Sequence, residues 1–154
     1  MSMRLSEHAA VTLIETTDVG GTTAATGWVS MKNFARAMAY VEIGTWNATD
    51  DLDHCRIEAA TDDQGTNSEE VTTDASGGDY DTANPVDADG DFVIIEIRAE
   101  DLPDTKPFIR LVVGEDGNTG VDNVTAFLVR YGYQYPQKQV NGAAVTGSKV
   151  YVQP

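Results

Sequence analysis

Three alternating aspartates come closest to a known metal-binding motif in this chain. Asp87, Asp89 and Asp91 stand in the stretch Asp-Ala-Asp-Gly-Asp-Phe, and carboxylates at every second position open a calcium loop of the EF-hand type. The match then ends, because the glycine precedes the third aspartate and Arg98 stands at the twelfth position, where the motif has glutamate. We interpret the segment as a solvated acidic turn before a strand. A weak cation site is the alternative, and no cofactor is expected.

A histidine next to a cysteine suggests a second kind of chemistry, a nucleophile with its base. His54 and Cys55 are such a pair, but neighbours on a strand point to opposite faces, so the two side chains should diverge. Cys55 is therefore expected to be a small core residue. The other histidine, His8, lies in or next to an N-terminal arm, and no nucleophile-elbow serine motif is present. The sequence predicts no catalytic set and no enzymatic activity.

Aromatic side chains offer a third possible use, stacking on sugar rings; the alternative is that they fill the core or an interface. Trp28 and Trp46 are the two tryptophans, and Tyr131, Tyr133 and Tyr135 alternate near the end of the chain. The tyrosines share one face if the strand that carries them continues, and an aromatic stripe is typical of a protein interface. We therefore take the three tyrosines as interface candidates.

The acidic composition excludes several classes of partner. The formal net charge is -15, which argues against nucleic acid, because a nucleic-acid surface needs a basic stripe, and against anionic membranes. A single cysteine rules out an internal disulfide. No apolar run has signal-peptide or membrane-spanning length, so synthesis and folding in the cytosol are expected.

The densest apolar run predicts the strand around which the others are arranged. In residues 91–102, Val93, Ile95 and Ile97 form one wholly apolar face that should point into a core. Phe92 and Ile94 make the start of the opposite face apolar as well. A strand that is apolar on most of both faces is expected near the middle of a sheet.

The remaining periodicity predicts an all-β, antiparallel β-sandwich of about eight strands, similar to a jelly roll. Further strands are expected at residues 9–16, 34–46, 54–61, 69–73, 108–113 and 124–131, and a loop at residues 22–26. Alanine and methionine make a helix the rival interpretation of residues 34–46. We assign residues 8–132 to the sandwich domain, and residues 1–7 and 133–154 to extended terminal arms.

The C-terminal arm ends in strand-forming residues that have no local pairing partner. Val150, Tyr151 and Val152 follow a linker of small residues. Such a segment is suited to completing the sheet edge of another chain. We add these three residues to the interface candidates and expect the arm to lie on a neighbouring subunit or on a larger partner.

Several strand patterns resemble a family of small structural proteins of tailed bacteriophages. The similarity runs from Trp28 to Gly132 and rests on the segments FARAMAYVEIG at 34–44, CRIEAATDDQGT at 55–66, VIIEIRAEDL at 93–102, FIRLVV at 108–113 and VTAFLVRYG at 124–132. The tail after Gly132 is longer than in the family pattern. These motifs are strand patterns without catalytic residues.

The resemblance implies a virion component, and most naturally a capsid decoration or cement protein on the outside of the head. Its partner would be the major capsid protein, and self-association as a trimer at three-fold positions would be expected. The alternative is a carbohydrate-binding β-sandwich of a phage tail or fibre, which would use the tryptophans and tyrosines.

Overall fold

The computed structural model describes residues 9–47, 52–71, 88–115 and 120–133. These residues form nine strands: β1 (Ala9–Asp18), β2 (Thr22–Ala25), β3 (Val29–Ser30), β4 (Phe34–Ile43), β5 (His54–Ala60), β6 (Glu69–Glu70), β7 (Phe92–Arg98), β8 (Phe108–Glu115) and β9 (Asn123–Tyr133). A single short 3-10 helix, Ala99–Asp101, appears in the described part of the chain. The all-β prediction is therefore confirmed.

The strands form two antiparallel sheets with the strand order of a jelly roll. One sheet has the order β1-β9-β4-β7, and the other has the order β2-β8-β5-β6, with β3 also paired to β8. The first strand lies beside the last, and the chain passes to the other sheet after most strands. This order of two interleaved Greek keys defines the jelly-roll sandwich, as the sequence predicted.

The core between the sheets follows the two-residue period of the strands. Inward residues of β4, β5, β8 and β9 are almost completely buried: Ala37, Ala39, Val41, Ile43, Cys55, Ile57, Ala59, Ile109, Leu111, Val113, Val124, Ala126 and Leu128. Alternate burial along residues 34–43 is a strand pattern, because a helix would bury positions three and four apart. The helical alternative for this segment is therefore excluded.

The position of β7 corrects one prediction. This strand is an edge strand of its sheet, next to β4, and does not lie in the middle. Its inward residues Val93, Ile95 and Ile97 are buried as expected, but Phe92 and Ile94 are 57% and 55% exposed. No described element lies over this side of the sheet. The apolar outward residues of β7 therefore do not indicate a second covering layer.

Residues 22–26 correct another prediction, since a loop was expected and residues 22–25 form β2. Thr22 pairs with Glu115 and Ala25 with Val112 on the neighbouring strand. The Glu115 carboxylate, itself completely buried, accepts the N–H of Gly21 at 2.9 Å. Pairing with a long core strand thus overrides the polar, small-residue composition of the segment.

A tight turn after β5 gives the fold a pH-sensitive element. The Asp62 carboxylate accepts the backbone N–H groups of Thr66 and Gln64 at 2.9 and 3.0 Å. These hydrogen bonds, that of Thr66 foremost, hold the pKa of Asp62 below its ordinary value. The unfolded chain then binds more protons than the folded chain. Asp62 therefore stabilises the fold above about pH 4, and this contribution is lost as the pH falls toward the folded pKa.

We expect Asp62→Asn to weaken the pH dependence of stability below about pH 4. Asparagine keeps an acceptor oxygen but does not titrate, so the turn persists while its proton linkage disappears. Urea unfolding at about pH 3 and about pH 6 measures the difference. Asp63→Asn, which removes a charge from the same turn without touching these two hydrogen bonds, is the control. An unchanged pH slope in Asp62→Asn would contradict the assignment.

Candidate interaction surface

The histidine and cysteine that suggested a nucleophile lie on opposite faces of β5. Cys55 is completely buried in the core between the sheets. His54 lies on the outer side, where Nη1 of Arg56 is 2.9 Å from its Nδ1. The predicted divergence of the two side chains is confirmed, so they form no nucleophile–base pair.

Two aspartates of the candidate cation loop, Asp89 and Asp91, accept hydrogen bonds from backbone N–H groups. Asp89 accepts the N–H of Trp46 at 2.8 Å, and Asp91 accepts the N–H of Ala88 at 3.2 Å. Asp87 lies outside the described residues. Within residues 9–47, 52–71, 88–115 and 120–133, no three histidine, cysteine, aspartate or glutamate side chains are grouped so as to hold a metal ion.

Neither tryptophan presents an open ring for a sugar. Trp46 is part of the hydrophobic core. The ring of Trp28 lies 4.6 Å from the guanidinium carbon of Arg110 and packs so closely on Gly65 that an added Cβ there would come within 2.5 Å of the indole nitrogen. Both rings therefore pack against other parts of the protein, which is the alternative to stacking on sugar rings.

Tyr131 is the one predicted interface residue whose side chain the structure describes. Its hydroxyl donates to Oε1 of Glu96, which also accepts Nη1 of Arg36 at 2.9 Å. These bonds, that of Tyr131 first, hold the pKa of Glu96 below its usual range, and burial followed by the Glu96 bond raises the pKa of Tyr131. The backbone of Tyr133 pairs with Phe34. Tyr135, Val150, Tyr151 and Val152 lie outside the described residues.

An exposed apolar surface covers the outer side of the β1-β9-β4-β7 sheet, beside Tyr131. It consists of Val11, Leu13, Met38, Tyr40, Phe92, Ile94, Phe127 and Val129, and we call it the outer apolar face. Val11, Leu13, Phe92 and Ile94, on the two edge strands, are 48–57% exposed, and the four residues on the inner strands are half-buried between them. A contiguous exposed patch of this kind marks a site of interaction with another molecule.

Strand register arranges the outer apolar face in rows that cross all four strands. Leu13, Phe127, Tyr40 and Ile94 form one row, and Val11, Val129, Met38 and Glu96 form the next. The ring of Tyr40 stacks on Phe127 and Phe92, with centroid distances of 5.0 and 5.7 Å. Stacking and cross-strand packing fix the side chains of the face, which lowers the entropy cost of covering them.

The opposite outer surface of the sandwich is polar. On β5 and β8, the buried carboxylate of Glu58 accepts Nε of Arg56 at 2.9 Å and Nε of Arg110 at 2.8 Å. Glu70 on the edge strand adds an ion pair with Arg56 at 3.4 Å. This ion-pair network places charged groups on the outer side of β5 and β8, so the two outer sides of the sandwich differ in chemistry.

The sequence contained a signal for the outer apolar face, but its meaning was misread. In residues 124–131, Phe127 and Val129 alternate with inward residues that are also apolar, and β7 carries the same two-sided pattern. For residues 91–102, the apolar start of the second face predicted burial on both sides. On the described elements the second side is open.

The fold and its surface define a class of protein, a jelly-roll sandwich with one polar and one apolar outer sheet face. The comparisons with protein-family models and with curated proteins give no match. No helix in the described part of the chain has the length and hydropathy needed to cross a membrane.

Proposed function

We propose that this protein is a non-enzymatic structural protein of a bacteriophage head, which decorates the outer surface of the major capsid protein lattice and stabilises it. The observation that carries the proposal is the outer apolar face. It is a contiguous apolar surface with stacked aromatic rings, and it offers contact area for another protein.

Two further observations support a structural role. The segments that resemble small tailed-phage structural proteins form β4, β5, β7, β8 and β9, so the resemblance follows the body of the sandwich. The jelly roll is also an architecture of viral capsid proteins, although lectins and cupins share it. The fold by itself therefore supports the virion role only by analogy. The physical reason is the outer apolar face, which offers an uncovered surface for contact with another protein.

The carbohydrate-binding alternative loses its main support, because Trp46 is buried and the ring of Trp28 is covered. A sugar site needs polar groups beside an open aromatic ring. The outer apolar face instead presents aliphatic side chains around its aromatic stack. Protein contact is the function that this surface favours.

An aspartate within the outer apolar face should weaken capsid binding. We expect Ile94→Asp to reduce the affinity for undecorated capsids by at least about tenfold, because a protein contact there would bury a carboxylate without a partner. Co-sedimentation of the full chain with empty capsids measures the affinity.

Val121→Asp is the matched control for this variant. Val121 is 56% exposed, as Ile94 is at 55%, but it precedes β9 and is not part of the outer apolar face. It should bind capsids like the parent chain, and thermal unfolding should show both variants folded. Failure of the parent chain to bind capsids would overturn the proposed function. If Ile94→Asp binds capsids as tightly as the parent chain, the outer apolar face is not the capsid-binding surface.

A further inference from the structure

The outer edge of β7 is the longest regular strand edge that no other described strand covers. Its seven residues pair with β4 in unbroken register, and no described strand lies on its other side. The other outermost strands are short, charged or bent: β2 has four residues, β6 consists of Glu69 and Glu70, and β1 has a register shift between Ile14 and Thr17. Such features protect a sheet edge from further pairing. The β7 edge has neither a bulge nor a lysine or proline.

Hydrogen bonds at the start of β7 show which of its backbone groups face the open edge. The N–H of Ile43 on β4 donates to the carbonyl of Asp91 at 2.8 Å. Alternate residues of an antiparallel pair exchange such bonds, so the odd-numbered residues of β7 bond β4. The N–H and C=O groups of the even-numbered residues therefore point away from β4, and they belong to Phe92, Ile94, Glu96 and Arg98. A row of main-chain groups of this kind is a template for one more strand.

The inward side chains of β7 are also incompletely covered. Val93, Ile95 and Ile97 are 5–8% exposed, whereas Val41, which pairs with Val93, is completely buried. The remaining exposure of these three residues fits their position in the outermost strand. A further strand with apolar inward residues would extend the core at this edge.

The C-terminal segment 149–153, which lies outside the described residues, has the pattern that this edge requires. Val150 and Val152 alternate with Lys149, Tyr151 and Gln153, so a strand would present both valines on one face. With the valines inward and the strand antiparallel to β7, one register places them beside the inward residues Ile95 and Val93. The same register places Tyr151 beside Ile94 on the outer side. A shift by two residues would set Lys149 opposite Arg98, and like charges directly opposite each other are unfavourable.

The position at which β9 ends allows the same chain to supply this strand. Tyr133 pairs with Phe34, at the end of the sheet where β7 also ends. A strand on the open edge of β7 would lie three strand spacings from β9, or about 14 Å. Residues 134–148 can span about 50 Å, so the segment can enter antiparallel to β7 from this end. Attachment gives it an effective concentration on the order of millimolar, which favours it over a second copy in dilute solution.

We propose that residues 149–153 add to the open edge of β7 in the same chain as an antiparallel strand, which makes this sheet five-stranded. The outer apolar face stays open, and Tyr151 extends it beyond Ile94. The inference goes beyond the proposed function and does not depend on whether that face binds a capsid. It places the C-terminal segment on its own domain, where the sequence alone suggested a neighbouring subunit or a larger partner.

Amide hydrogen exchange of the full chain, followed residue by residue, tests the pairing. A paired N–H exchanges only when the strand opens. The N–H groups of Ile94 and Glu96 should therefore exchange at least about tenfold more slowly in the parent than in Val150→Asp/Val152→Asp, which would place two carboxylates in the core. The N–H groups of Val93 and Ile95 bond β4 and should stay protected in both chains, which also shows that the variant is folded.

Ala144→Asp/Thr146→Asp is the matched control, because it makes the same change in net charge at the same spacing within the preceding residues. Its exchange at Ile94 and Glu96 should match that of the parent. Exchange at these two residues that is equal in the parent and in Val150→Asp/Val152→Asp would overturn the inference.

A cross-link identifies which chain supplies the strand. Directly paired residues have Cα atoms about 5.5 Å apart, within the range for a disulfide. Ile94→Cys/Tyr151→Cys should therefore form a disulfide within one chain of 16.5 kDa under oxidising conditions, and Cys55 is buried and does not compete. Ile94→Cys/Ala144→Cys should give at least about tenfold less. A disulfide mainly between two chains, or equal yields in the two variants, would overturn the assignment to the same chain.

Discussion

Replacing Leu128 with alanine should lower the free energy of unfolding by about 2–5 kcal/mol, the range for removing a large aliphatic side chain from a core. Leu128 is completely buried on β9, an inner strand of its sheet, and it belongs to the cluster that joins the two sheets. The loss combines transfer of the side chain to water with a cavity. Urea unfolding measures it, and a lower midpoint with an unchanged slope is expected.

Leu13→Ala is the matched control, since it deletes the same atoms from the same sheet. Leu13 is 54% exposed on the outer side, so the expected loss is below about 1 kcal/mol. Both variants should be compared at low protein concentration, where self-association adds nothing to the apparent stability. Equal losses in the two variants would contradict the assignment of inner and outer sides.

Lowering the salt concentration should weaken the self-association that the family resemblance implies. Each copy carries a net charge of -15, and at a centre-to-centre distance of about 25 Å the unscreened repulsion in water is on the order of 40 kcal/mol. The Debye length is about 8 Å at physiological salt and about 30 Å at 0.01 M. The repulsion is thus nearly removed at physiological salt and largely retained at about 0.01 M salt.

We expect the dissociation constant of self-association to increase by at least about a hundredfold between about 0.5 M and about 0.01 M salt. Sedimentation velocity at a series of salt concentrations measures the change. An oligomer equally stable at both extremes would show that the acidic side chains lie far from the contact.

The sequence by itself determined the strands and their inward residues. Alternation of apolar side chains located β4, β5, β7, β8 and β9 and placed Cys55, Val93 and Ile95 in the core. This succeeded because the side-chain period of a strand is two, so one buried face fixes the register of every inward residue. The same period separated His54 from Cys55 and removed the only nucleophile–base pair that the sequence suggested.

Local composition failed where pairing with a distant strand decided the structure. Thr22–Ala25 reads as a polar loop, yet it forms β2 because β8 offers it an unpaired edge and Glu115 anchors the preceding turn. Nothing within these few residues encodes that edge, since strand propensity depends on the neighbouring strand more than on the residues themselves.

The outer apolar face is the part that only the tertiary structure decided. Phe92 and Ile94 have the same side chains whether a second layer covers them or not, so their hydrophobicity could not distinguish a central buried strand from an edge strand with an open apolar side. The strand order β1-β9-β4-β7 placed residues from four distant segments in common rows, with Arg36 at one end and Glu42 at the other. Neighbours in such a sheet are set by chain topology rather than by sequence separation, and the outer apolar face exists only once that topology has formed.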